Sequence, residues 1–162
     1  MLVEQAGSAD IWTFYQQGYY IVIPTNGVVK KNGEAVMGKG LALDVARRWD
    51  WFPKMLGRFI TKSGSRVYRF TNDEIDDPLH IFTFPTKEDW RDPASLDVIW
   101  RSAVELRELV DEINERSDGE IRAVYLPRVG CGAGGLRWRD VRPSIRLALK
   151  EWSDVVFTAV HQ

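Results

Sequence analysis

Several short runs in the chain hold residues whose types and spacing can do chemistry. The run Gly130-Cys131-Gly132-Ala133-Gly134-Gly135 follows an apolar stretch and precedes an amphipathic one. Glycines at such a junction let the backbone turn several amide hydrogens toward one point, a nest for a phosphate or diphosphate. A second run, Gly33-Glu34-Ala35-Val36-Met37-Gly38-Lys39-Gly40, has the glycine and lysine spacing of a nucleotide-hydrolysing P-loop. Its last residue is Gly40, where such a loop needs Ser or Thr for magnesium, and the KKNGE before it is a hydrophilic turn rather than a strand. Nucleotide hydrolysis is therefore not expected of it. It is read instead as backbone that approaches a diphosphate from the other side.

Lys87 follows Pro85-Thr86 just beyond an apolar run, on the rim where the glycine loops should meet. An amine held there can act as a nucleophile if desolvation lowers its pKa, whereas a lone surface lysine is merely solvated. Asp10 can accept a hydrogen bond from an exocyclic amine such as that of adenine; a loop cap is the other reading. Cys131 is taken as a small packing residue, because neither His80 nor His161 is placed to act as its base. The run Asp73-Glu74-Ile75-Asp76-Asp77-Pro78 reads as a solvated acidic turn, and no metal is expected.

The net charge is -1, so any nucleic-acid surface must be local. Residues 47–69 carry seven basic side chains against one acidic, Asp50, a local charge of +6. Trp49, Trp51, Phe52, Phe59 and Tyr68 lie among them. Basic residues interleaved with aromatics suit phosphate contact and base stacking, and Arg47, Arg48, Lys54 and Arg58 are the candidates for a DNA surface. The alternative is a core-facing aromatic stripe with a solvated cationic back.

The elements that must position these residues follow from apolar periodicity. Strands are predicted over residues 19–23, 66–70, 80–84, 121–126 and 154–160, with another short strand before Asp10. Helices are predicted over residues 41–49, 94–116 and 138–151. The second should start with Asp92 as cap and Pro93 in its first turn; Leu96, Ile99, Ala103, Leu106, Val110 and Ile113 then recur at three-and-four spacing. The stretches IVIPTNG, FTFPTKED and VYLPRVGCG each run from apolar residues through proline into polar or glycine-rich loops. In an open α/β sheet ligands bind outside the carboxyl ends of the strands, so these three loops should converge on one site.

The 162 residues fit one domain, and no repeat or linker divides them. With 44% hydrophobic and 28% charged residues the chain should fold unaided. One cysteine excludes an internal disulfide and points to a reducing, cytoplasmic setting. The start MLVEQAGSAD lacks the features of an export signal, and no run approaches the roughly 20 apolar residues of a membrane span.

Taken together, Ala9-Asp10-Ile11, Pro24-Thr25-Asn26, Val36-Met37-Gly38-Lys39-Gly40-Leu41-Ala42, Phe84-Pro85-Thr86-Lys87 with Trp90, and Leu126 to Trp138 resemble a macro domain. The resemblance is to the ADP-ribosylglycohydrolase branch that contains the DarG-type antitoxin macrodomains and the terminal ADP-ribose protein glycohydrolase. It implies a three-layer α/β fold, a mixed central sheet flanked by helices, with ADP-ribose in a cleft at the strand ends and no cofactor. By carry-over, Asp10 and Ile11 hold the adenine. Pro24, Thr25 and Asn26, with Met37, Gly38, Lys39, Gly40 and Leu41, face the distal ribose. Gly130, Cys131, Gly132, Ala133, Gly134, Gly135 and Leu136 wrap the diphosphate, and Lys87 matches the catalytic lysine.

The protein-directed relatives carry an aspartate where this chain has Gly134, and the DNA-directed domains have a neutral residue there. The resemblance therefore implies removal of thymidine-linked ADP-ribose from single-stranded DNA, by a monomer. Hydrolysis of protein esters or of ADP-ribose 1-phosphate, and ADP-ribose binding without turnover, are the competing readings. The turn at residues 28–34 is an insertion relative to the family pattern.

Overall fold

The structure is a computed structural model and describes residues 1–70, 79–149 and 154–162. Five strands form one sheet: β1 (Leu2–Ser8), β2 (Tyr20–Thr25), β3 (Ile81–Pro85), β4 (Ala123–Pro127) and β5 (Val156–His161), in the order β1-β5-β4-β2-β3. All four neighbouring pairs are parallel. The antiparallel component of the mixed sheet is, among the described residues, confined to a bridge between Arg69 and Phe82 at the β3 edge.

Successive strand residues point to opposite faces; in β2, β3, β4 and β5 both faces are covered and the strands are largely apolar, whereas the edge strand β1 exposes Glu4, Ala6 and Ser8. Tyr20, Val22, Phe82, Phe84, Val124, Leu126 and Phe157 pack on one side against Ile99, Ala103 and Leu106 of α4 (Leu96–Ser117) and Val141 and Ile145 of α5 (Trp138–Ala148). Ile21, Ile23 and Ile81 face the other way. They meet Ile11 and Trp12 of α1 (Ile11–Gln16), Val45 of α2 (Gly40–Arg48) and Phe52 and Leu56 of α3 (Phe52–Ser63). Right-handed crossovers account for this division. The chain moves one way across the sheet from β1 to β2 and from β2 to β3, then reverses from β3 through β4 to β5, which carries α4 and α5 to the opposite face.

Three sequence expectations change. Residues 66–70 form no strand although they run antiparallel beside β3. Side chains take the ladder positions there: the Tyr68 amide donates to the Thr83 hydroxyl at 2.8 Å and the Val67 amide to the Glu105 carboxylate at 3.0 Å. α4 starts later than predicted, because Ser95 rather than Asp92 is the cap, its hydroxyl accepting from the Val98 amide. Two helices were not predicted. α1 is six residues long, too short for periodicity to show, and α3 lies within the basic and aromatic stretch, with Pro53 in its first turn and Gly64 ending it at φ 92°. α5 ends at Ala148 with Leu149 as its cap, and residues 150–151 of its predicted span and the acidic run at residues 73–78 lie outside the described residues.

Candidate functional site

Because every strand pair is parallel, all the carboxyl ends lie on one edge of the sheet. Asp10 follows β1, Asn26 follows β2, Thr86 and Lys87 follow β3, and the Gly130 loop follows β4. Strand order then arranges them along that edge as Asp10, the Gly130 loop, Asn26 and Lys87. Neighbouring strands are spaced about 4.8 Å, so four spacings separate β1 from β3 by roughly 19 Å. The connections leaving β2 and β4 depart in opposite directions, and such a switch point opens a crevice. The Asn26 and Gly130 loops flank it.

The glycine loop closes on itself. The Leu136 amide donates to the Gly130 carbonyl at 2.9 Å and the Gly135 amide to the Gly132 carbonyl at 3.1 Å. Gly130 and Gly135 have φ of 78° and 77°, the left-handed conformation that glycine adopts without strain. Gly132, Ala133 and Gly135 are exposed, while Gly130 and Gly134 are buried. A Cβ on Gly132 would meet nothing within 4 Å, as expected of backbone that faces an open cleft. Cys131 and Leu136 are half-buried against the core, and burial pushes the Cys131 thiol up, which suits packing rather than reactivity.

Two consecutive amides clip this loop to the lysine loop. Ala94 donates to the Gly134 carbonyl at 3.0 Å and Ser95 to the Thr86 carbonyl at 2.9 Å. Thr86 in turn donates to the Thr25 carbonyl at 3.0 Å, and the Ser102 hydroxyl to the Pro85 carbonyl at 2.6 Å. Lys87 is thus fixed by the backbone on both sides. Its side chain is half-buried, and among the described residues the amine has no hydrogen-bond or ion-pair partner. The acids beside it are engaged elsewhere. Glu88 accepts from Arg101 at 2.9 Å, and Asp89 from Arg91 at 2.7 Å, which holds the Asp89 carboxyl at about 2. A carboxyl held so low stays ionised and does not serve as a general acid near neutrality.

Asn26 anchors the loop that follows β2: its amide nitrogen donates to the Val36 carbonyl and its oxygen accepts from the Val28 amide, both at 3.0 Å. Pro24 is half-buried, and Thr25 is buried with its carbonyl committed to Thr86. The inserted turn folds as a small hairpin, with Val29 bridging Ala35, and lies on α3, where a Cβ on Gly57 would overlap the Gly33 carbonyl oxygen. Gly57 is therefore the packing glycine, and Gly33, at φ 89°, lies in the turn away from the end of a strand, unlike the first glycine of a P-loop. Met37 is buried in the core, so its backbone is what remains for a ligand. Gly38, Lys39 and Gly40 are exposed, and Leu41 is half-buried at the start of α2.

Asp10 caps α1: one carboxylate oxygen accepts from the Trp12 amide at 3.0 Å. The other has no partner among the described residues, and the side chain is exposed. Ile11 is fully buried, and its amide lies 3.5 Å from the Gln162 side-chain oxygen.

The basic segment divides in two. Its aromatic rings turn inward, Phe52 stacking on Phe70 at 4.0 Å and Trp51, Phe59 and Tyr68 packing around them, which is the core-facing alternative. Arg47, Arg48, Lys54 and Arg58 are exposed. Arg48 lies over the Trp12 ring at 3.8 Å, whereas Arg47, Lys54 and Arg58 have no ion-pair partner among the described residues.

One brace escaped sequence reasoning. Glu4 on β1 accepts from the Trp138 indole at 2.8 Å and from Arg142 at 2.7 Å, with Arg128 at 3.8 Å. It ties both ends of the glycine loop to the edge strand. The partners lie more than 120 residues away in sequence, and no local pattern signals such a contact.

No family model matches the chain. It is 32% identical over 148 residues to the DNA ADP-ribosyl glycohydrolase of Mycobacterium tuberculosis, a match that covers 87% of this chain and 40% of that protein. The chain thus spans well under half the length of the curated relative it matches. Among solved structures it superposes on the macrodomain of Mycobacterium tuberculosis DarG with a TM-score of 0.75 at 28% identity, covering 98% of this chain and 97% of that one. The macrodomain of Thermus aquaticus DarG gives 0.74 at 25% identity, over 100% and 99%. The α/β fold matches these domains over nearly their whole length, so the chain has the macro domain fold and is similar in sequence and structure to the DarG macrodomains.

Proposed function

We propose that residues 1–162 form one ADP-ribose-binding domain that hydrolyses thymidine-linked ADP-ribose on single-stranded DNA and releases free ADP-ribose. The observation that carries this reading is the Lys87 amine, half-buried and unpartnered among the described residues, on a loop clipped to the diphosphate nest through Ala94 and Ser95. Asp10 and Ile11 hold adenine. The exposed amides of the Gly130 loop hold the diphosphate, and Asn26 with the loop from Met37 to Leu41 faces the distal ribose.

Lys87 then acts at the anomeric carbon. As a neutral amine it forms a bond to that carbon while the glycosidic bond breaks, its electrons passing to the base nitrogen, which takes up a proton. Water cleaves the new carbon–nitrogen bond and restores the amine. As an ammonium it would instead stabilise the departing base electrostatically. The name of the mycobacterial relative, matched over 87% of this chain, supports DNA as substrate, as does Gly134, which leaves the loop without the aspartate of protein-directed relatives. The exposed cations Arg47, Lys54 and Arg58 support a DNA-contacting surface. The single cysteine supports a cytoplasmic setting, and we take the active form to be a monomer. No helix among the described residues is long and apolar enough to cross a membrane.

Incubation with ADP-ribosylated DNA and ADP-ribosylated protein side by side tests the reading. Free ADP-ribose should appear from the DNA. Release from protein alone, or from neither, overturns it.

A further inference from the structure

We infer that Trp90 is the stacking platform for the nucleobase that leaves ADP-ribose, so that the site continues past Lys87 and is specific for a base-linked substrate. The inference rests on the roles given above to Lys87 and to the glycine loop, and it adds a subsite to them.

Trp90 lies three residues beyond Lys87 and is 52% exposed. Among the described residues its ring has no aromatic partner, while Tyr19, also exposed, packs on Tyr125 at 5.3 Å. An exposed indole on a floppy loop would mean little, but this turn is braced at several points. The Gly27 amide donates to the Glu88 carbonyl at 2.8 Å, and Arg101 holds the Glu88 carboxylate. The Asp92 amide donates to the Asp89 carbonyl at 3.1 Å, and the Asp89 carboxylate takes both the amide and the guanidinium of Arg91. Glu88, Asp89 and Arg91 are held in these contacts, while the indole between them faces solvent with no stacking partner among the described residues. Arg91 adds a guanidinium 5.7 Å from the ring centroid.

The order of strand ends fixes what should meet that ring. Adenine at β1, diphosphate at β4 and distal ribose at β2 place the anomeric carbon toward β3, which is the last strand of the sheet. Whatever is bonded to that carbon must extend over the Lys87 loop, where Trp90 stands. A planar base matches an indole face and gains from stacking on it, whereas an aspartate or glutamate ester offers nothing to stack.

Binding measured in a Lys87→Ala background tests this without turnover. The probes are free ADP-ribose and a short oligonucleotide carrying ADP-ribose on thymidine. The oligonucleotide should bind more tightly than free ADP-ribose by about 5- to 150-fold, the range that base–aromatic stacking supplies. Adding Trp90→Ala should remove most of that gain and leave the affinity for free ADP-ribose unchanged, and Trp90→Phe should keep part of it. An equal gain with and without Trp90 overturns the platform, as does a loss of free ADP-ribose binding in Trp90→Ala. A matching loss of affinity for an ADP-ribosylated peptide would mean a general rim contact and also overturns it. Turnover of the same oligonucleotide by the protein with Lys87 intact separates the two readings. Trp90-dependent binding without release sinks the catalytic reading alone, and release with no Trp90 dependence of affinity or KM sinks the platform alone.

Discussion

Gly134 is pressed against Ala94: a Cβ added at Gly134 would stand 2.7 Å from the Ala94 Cβ and 2.6 Å from the Gly130 carbonyl oxygen, while the Ala94 amide donates to the Gly134 carbonyl. The backbone oxygen cannot move without reopening the loop, so any side chain at residue 134 displaces the glycine loop proposed to hold the diphosphate. Gly134→Ala and Gly134→Asp should each destabilise the fold by about 1–3 kcal/mol, the usual cost of overpacking, and weaken ADP-ribose binding. Gly134→Asp should not create protein-directed activity. Gly132 is the contrast, since nothing lies within 4 Å of its added Cβ. Gly132→Trp should melt close to the parent temperature and yet lose ADP-ribose in calorimetry. Retained affinity there would remove the glycine loop from the site.

Asp10 caps α1 with one carboxylate oxygen and is proposed to hold adenine with the other, and two substitutions separate these roles. Asparagine caps a helix about as well as aspartate, so Asp10→Asn should keep its stability, whereas Asp10→Ala should lose roughly 1 kcal/mol. Both should bind ADP-ribose more weakly, by about 1–3 kcal/mol for loss of a charged hydrogen bond. The parent protein should prefer ADP-ribose to its inosine analogue. Equal affinity for the two would return Asp10 to capping alone.

The sequence was most legible where the signals are local. The glycine runs, the prolines at the strand ends and the apolar spacing of α4 identified the loops at the carboxyl edge. What escaped was tertiary. The start of α4 shifted because the Ala94 and Ser95 amides are drawn to Gly134 and Thr86, and residues 66–70 lost their ladder to Thr83 and Glu105. Composition over residues 47–69 left open whether the rings face a nucleic acid or the core, because a helix sorts side chains by angle; α3 turns its rings inward, as the core-facing reading has it. The order of the loops along the edge depends on strand order, which no single stretch encodes.

If the remaining exposed cations of that segment track a DNA backbone, turnover of a modified oligonucleotide should fall with salt more steeply than turnover of a modified mononucleotide. Counterion release predicts about 0.7 log units per phosphate contact per log unit of salt for single strands. Arg47→Ala, Lys54→Ala and Arg58→Ala should each flatten the slope if they make such contacts. Arg48→Ala should also loosen α2 from α1, because its guanidinium covers Trp12. Identical slopes for the two substrates would make the segment a solvated cationic face.

Lys87→Ala should abolish release of ADP-ribose and leave ADP-ribose binding nearly intact. The contacts proposed for adenine and diphosphate come from Asp10 and from backbone amides of the glycine loop, none of which bonds to the lysine, so ground-state affinity should survive its loss. The loop itself should also hold its shape, since Thr86 and Glu88 are fixed through backbone bonds to Thr25, Ser95 and Gly27. What disappears is an interaction made only as the glycosidic bond breaks, and such interactions appear in kcat rather than in affinity. Arginine is the informative control, because it keeps the positive charge but does not readily act as an amine nucleophile. Rescue by Lys87→Arg would assign an electrostatic role. Loss in both variants would assign covalent participation, and borohydride should then trap the parent protein on its substrate. Cleavage of ADP-ribosylated DNA at the parent rate by Lys87→Ala, in single-turnover assays, would remove Lys87 from catalysis and leave a domain that binds without turning over.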